Sequence, residues 1–112
     1  MTYSHPAAIV AALEAIDEDL AQRQNQLEQA ADDRARLIRD WERRLALSTA
    51  QARGGDANAR KQAALVLAAE QDDLYERLTV AEGRYAGLAA VVRVLDTRST
   101  IGMALLKAQA RA

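Results

Sequence analysis

The chain contains one decisive interruption, Gly54-Gly55-Asp56 followed by Asn58, and on either side of it stand some fifty residues that favour helix. Between Ser4 and Arg53 there is no glycine and a single proline, Pro6. Ala, Leu, Glu, Gln and Arg dominate that interval, and all propagate helices well. Ser4 is a natural N-cap, and Pro6 then falls in the first turn, where a missing N–H costs nothing. Two glycines end a helix readily, and Asp56 or Asn58 can cap the next by accepting from its free backbone amides. The expectation is a single domain over residues 1–112. Helix one covers about 5–53, the turn 54–56, and helix two about 57–110, with a possible break near 97–100.

Apolar spacing supports both helices. Ile9, Leu13, Ile16, Leu20 and Leu27 follow steps of three and four with Arg23 interrupting once. Farther along, a track through Ala31, Ala35, Ile38 and Leu45 runs beside one through Ala30, Arg34, Leu37 and Trp41, so the seam drifts. In the second half, Leu67, Leu74, Leu78, Ala81, Tyr85, Leu88, Val92 and Leu95 keep the same period, with Gln71 as the one polar member. Thr97-Arg98-Ser99-Thr100 is the one segment rich in residues that cap better than they propagate. Continuation through it, with a kink at most, is favoured.

Two long helices with a short link run antiparallel, so the expected fold class is an all-α, coiled-coil-like hairpin, with dimerisation into a four-helix bundle expected from a second face of helix two. A tight turn at Gly54-Gly55 pairs residues whose numbers total about 109. That rule places Trp41 opposite Leu67, Ala68 and Ala69, Ile16 opposite Val92 or Arg93, and Leu20 near Leu88. It also sets Arg36 against Asp73 and Arg39 against Glu70. Trp41, Leu67, Leu74, Leu78 and Leu88 are then core.

Helix two has more apolar surface than one seam can absorb. Val80, Gly83, Gly87, Val91, Val94, Ile101 and Leu105 form a second line, interrupted in charge only by Arg98. Gly83 and Gly87, four apart, share a face and permit close approach of another backbone. The line predicts a self-association or partner face, with a homodimer favoured, since soluble proteins prefer closed two-fold assemblies. A C-terminal segment folded back after Thr97 and a groove for a different protein's helix are the competing explanations.

Composition removes most enzyme classes. There is no cysteine, hence no disulfide, thiolate zinc site or cysteine nucleophile, and one histidine leaves no multi-His metal site. Glu14, Asp17 and Glu18 cluster on one face, as in part do Asp72, Asp73 and Glu76. Without a Glu-x-x-His element these read as solvated carboxylates. His5, beside Pro6, reads as a surface histidine near the terminus. No nucleotide-binding or hydrolase glycine motif occurs, so no enzyme activity and no cofactor are expected.

The uncharged runs 85–92 and 99–106 are eight residues each, too short to span a bilayer, and no signal sequence is visible, so a cytoplasmic protein with no membrane role is expected. Overall charge is near neutral, with 15 basic and 16 acidic residues. Locally, residues 34–61 carry eight basic and three acidic groups. Arg43, Arg44, Arg53, Arg60 and Lys61 gather around the hairpin tip, and Arg84, Arg93, Arg98, Lys107 and Arg111 occupy the C-terminal part. These support an alternative reading, a nucleic-acid-associated accessory protein making phosphate contacts with little base specificity.

The ending Val94-Leu95-Asp96-Thr97-Arg98-Ser99-Thr100-Ile101, with Leu105-Leu106-Lys107-Ala108-Gln109, resembles the tails of small helical proteins of actinobacterial phages. The resemblance covers about twenty residues and carries no catalytic or ligand motif. It implies an accessory phage protein, a small modulator of host or phage machinery.

Overall fold

The computed structural model describes residues 5–111, and they are helical almost throughout, with no strand among them. The helices are α1 (Pro6–Gln51), α2 (Ala57–Glu70) and α3 (Leu74–Ala110). The all-α hairpin stands as expected, with the returning arm split in two. Its contacts gather into two units. The first combines Met1–Gln29 with Ala86–Ala112, and the second is Ala30–Tyr85.

Local chemistry sets the ends. Pro6 opens α1 as its first residue, and the Ile9 amide donates to the His5 carbonyl at 3.1 Å. Ser4, expected as the cap, lies outside the described residues. The link covers residues 52–56, longer than the three-residue turn expected. Asp56 caps α2, its Oδ1 accepting from the Ala59 amide at 2.7 Å. Gly54 and Gly55 do not act through a left-handed conformation, because no described glycine has positive φ. Gly54 instead makes room, since a Cβ there would stand 3.3 Å from Arg60 Cγ.

The expected single second helix is corrected at residues 71–73, where α2 ends and α3 begins. No glycine or proline stands there. The interruption is held by Asp72, whose Oδ1 accepts from the Leu74 amide at 2.8 Å and from the Arg44 guanidinium. Asp73-Leu74-Tyr75-Glu76 has the acid-x-x-Glu form of a helix start, a signal the apolar period obscures. The segment 97–100, in contrast, remains helical. Thr97 and Thr100 donate their hydroxyls to the carbonyls of Arg93 and Asp96, each at 3.0 Å, so these side chains bond along the helix without ending it.

In the second unit the register differs from the expected one. Trp41 packs on Tyr75, with ring centroids 5.3 Å apart and planes inclined at 57°, and not on residues 67–69. Arg44 pairs with Asp72, and the Arg34 guanidinium lies 5.3 Å from the Tyr85 ring centroid. Arg36 pairs with Asp33 on its own helix at 2.8 Å, and Asp73 with Arg77 at 3.2 Å, replacing the expected Arg36–Asp73 and Arg39–Glu70 pairs. Trp41 with Tyr75, and Arg44 with Asp72, both total 116. Arg44 stands seven residues before the end of α1, whereas Asp72 stands fifteen after the start of α2. A five-residue link and a second interruption make the returning arm spend more residues than a tight hairpin would.

Burial follows this register. Leu74 and Leu78 are core, Trp41 and Leu88 are half-buried, and Leu67 is exposed, a correction to its expected core place. The buried residues near the link are small: Ser48, Ala52, Ala64 and Ala68. In the first unit Ile9, Leu13 and Leu95 are buried. Gly102 faces Leu13 so closely that a Cβ on it would lie 2.7 Å from Leu13 Cδ2. Numbers there total about 115, so Leu20 and Leu88 do not face each other as expected. Asp19 shares a groove with Val91, Val94 and Leu95 instead.

Candidate interaction face

The helical period that buries Leu74, Leu78 and Leu95 leaves a second set of α3 side chains outside that seam. Val80 is 71% exposed, Val91 41%, Val94 51% and Ile101 55%. Gly83 and Gly87 are open, with nothing within 4 Å of a Cβ built on either. Leu105 is half-buried. Five of the seven residues expected on this face, Gly87, Val91, Val94, Ile101 and Leu105, belong to the first unit. Val80 and Gly83 belong to the second.

In the first unit the face borders a groove of about 620 Å³ between α1 and α3, lined by Ile9, Ala12, Leu13, Ala15 and Ile16 on one side and Arg98, Ile101, Gly102 and Leu105 on the other. The close approach at Gly102 forms part of its floor. Arg98 is the sole charged residue of the lining. Exposed β-branched side chains beside an apolar trough are what a second helix can cover.

The second unit carries a different surface. Val80 and Ala81 edge a groove rimmed by Asp33, Arg36, Asp40, Asp73, Glu76, Arg77 and Arg84, where acids and bases alternate. Such a rim is well suited to water and to internal ion pairing. The Arg44 guanidinium beside Asp72, with the Leu74 amide, holds the Asp72 carboxyl below its ordinary range. Asp72 in return raises Arg44. Arg44 is therefore engaged within the chain. Arg43, Arg53, Arg60 and Lys61 are exposed and in no ion pair among the described residues.

The acidic clusters gather no ligand set. Glu14, Asp17 and Glu18 are exposed, and among the described residues no group of three or more His, Asp or Glu is placed to hold a metal. His5 is exposed at the start of α1. No described helix is long and apolar enough to cross a membrane. Comparison with protein families, curated proteins and solved structures gave no match.

The α3 line was legible in the sequence because every third or fourth residue is apolar outside the seam. Its neighbour on α1 was not, since alanines read equally as core or surface until the facing helix is placed.

Proposed function

We propose that this chain is a non-enzymatic helical interaction protein that self-associates through the α3 line and presents the assembled bundle to a protein partner. The exposure of Val91, Val94 and Ile101 beside the grooves between α1 and α3 carries the reading. Fully burying an exposed valine or isoleucine releases about 1.5–3 kcal/mol; these three are 41–55% exposed, so covering what remains releases roughly half of that for each. The C-terminal resemblance supports a role as an accessory phage protein or regulatory factor acting in the cytoplasm.

Light scattering at micromolar concentration tests it. Twice the 12.2 kDa chain mass supports self-association, and a monomer up to the highest soluble concentration rejects it. Val91→Glu should return a dimer to monomer with its helix content kept, and should lose any partner captured from the native host.

A second reading rests on Arg43, Arg53, Arg60 and Lys61, which stand exposed and form no ion pair among the described residues. They suit phosphate contacts by a nucleic-acid-associated accessory protein. Retention on DNA or RNA that falls steeply between low and moderate salt favours it, and no retention at low salt removes it.

A further inference from the structure

We infer that two copies of the first unit pack with α3 of each lying on α1 of the other, keyed by Asp19 of one copy and Arg98 of the second. The inference rests on the self-association proposed above and specifies which surfaces meet.

Two stripes with identical spacing run along two grooves that share Arg98. On α1 they are Ala8, Ala12, Ala15, Asp19, Gln22 and Gln26. On α3 they are Gly87, Val91, Val94, Arg98, Ile101 and Leu105. Each advances by four, three, four, three and four, which keeps a stripe on one side of a helix. Ala12 and Ala15 line one groove opposite Ile101 and Leu105, and Asp19 lines a second opposite Val91 and Val94; Arg98 borders both, so the stripes run side by side.

The two stripes differ in height. The α1 stripe opens with three alanines, a shallow valley at the end of the unit where Ile101 and Leu105 lie. Beyond Asp19 it continues with Gln22 and Gln26, whose unbranched, uncharged stems offer methylene surface to a neighbour at a cost in rotamer freedom, and Gln26 Oε1 accepts from Arg23 on the same helix at 3.2 Å. Val91, Val94 and Ile101, in contrast, stand out from α3 as an exposed ridge. Each stripe carries one charge, in both cases at its fourth position, and the charges have opposite sign. Asp19 and Arg98 border one groove yet form no ion pair with each other. Asp19 Oδ1 holds Arg23 on its own helix at 3.3 Å, which leaves Oδ2 available, and Arg98 has no carboxylate partner among the described residues.

A two-fold axis parallel to the helices satisfies both requirements at once. It keeps every residue at its own height and exchanges left for right, so the ridge of each copy enters the valley of the other. Ile101 then lies on the alanines of the second copy, Val91 and Val94 lie on its glutamine stems, and Asp19 meets its Arg98, twice. An axis perpendicular to the helices sets ridge on ridge and valley on valley, leaving voids that close packing disfavours. The face supplies both the shape and the charge it needs, which identifies the occupant as a second copy of this chain.

Charge exchange tests the pairing. Asp19→Arg alone and Arg98→Asp alone should each weaken the dimer at least about tenfold, and their equimolar mixture should recover to within about threefold of the unsubstituted protein. Circular dichroism checks that each variant stays helical. If the unsubstituted protein dimerises and Asp19→Arg leaves its affinity unchanged, this pairing is overturned while self-association stands. If the unsubstituted protein is monomeric, both readings go. A second measurement does not depend on charge. Because the chain has no cysteine, Ala15→Cys and Ile101→Cys chains can be mixed and treated with a short bismaleimide. Cross-linking chiefly between unlike variants supports the pairing, and chiefly between Ile101→Cys chains overturns it.

Discussion

Asp72 meets Arg44 across 28 residues of sequence, and the same carboxylate oxygen accepts the amide of Leu74. One side chain thus begins α3 and fixes its height against α1. The three residues 71–73 contain no conformational breaker, so this pair of contacts does what glycine or proline does elsewhere.

Acid should therefore loosen the molecule through this residue. The Asp72 carboxyl is held below its ordinary range by Arg44 first and the Leu74 amide second, so the folded chain remains ionised where the unfolded chain takes up a proton. The stabilisation is fully present above the ordinary carboxylate pKa of about 4 and declines as pH falls through the depressed value. Urea midpoints between pH 7 and pH 2 should fall less steeply for Asp72→Asn than for the unsubstituted chain, and Asp72→Asn should melt a few degrees lower at pH 7.

Ser48 is fully buried, and its hydroxyl has no hydrogen-bond partner among the described residues. Ser48→Ala should raise the unfolding free energy by about 1 kcal/mol by removing an unsatisfied polar group. Ser48→Leu should lower it by about 2 kcal/mol, because a larger side chain overpacks a fully buried position. Chemical denaturation of both variants measures the pair.

Gly83 and Gly102 both lie inside α3 but in opposite surroundings. Gly83→Ala meets open space and should stabilise by about 0.5–1 kcal/mol through helix propensity. At Gly102 the new methyl would meet buried Leu13, and overpacking of about 1–3 kcal/mol should cancel or exceed that gain. Melting curves for the two alanine variants should move in different directions or by clearly different amounts.

The register itself is measurable. A double-mutant cycle on Trp41 and Tyr75 should give a coupling of about 0.5–1.5 kcal/mol, as tilted aromatic pairs do. The same cycle on Trp41 and Leu67 should give none. Coupling at Leu67 and not at Tyr75 would restore the register expected from a tight turn.

Helix formation, the hairpin, a cap at Asp56 or Asn58 and the apolar line from Val91 to Ile101 were all legible in the sequence, and the structure chooses Asp56. Each depends on propensity or period within one helix, and such properties need no knowledge of a neighbour. The break at residues 71–73, the partner of Trp41 and the exposure of Leu67 were decided only in the tertiary structure. A helical seam repeats every three or four residues, so several offsets between two arms satisfy the same pattern equally well. What chooses among them is the reach of particular side chains, here Arg44 to Asp72 and Trp41 to Tyr75, and the number of residues the link consumes. The periodic apolar pattern is nearly degenerate under such a slip, whereas those contacts are not.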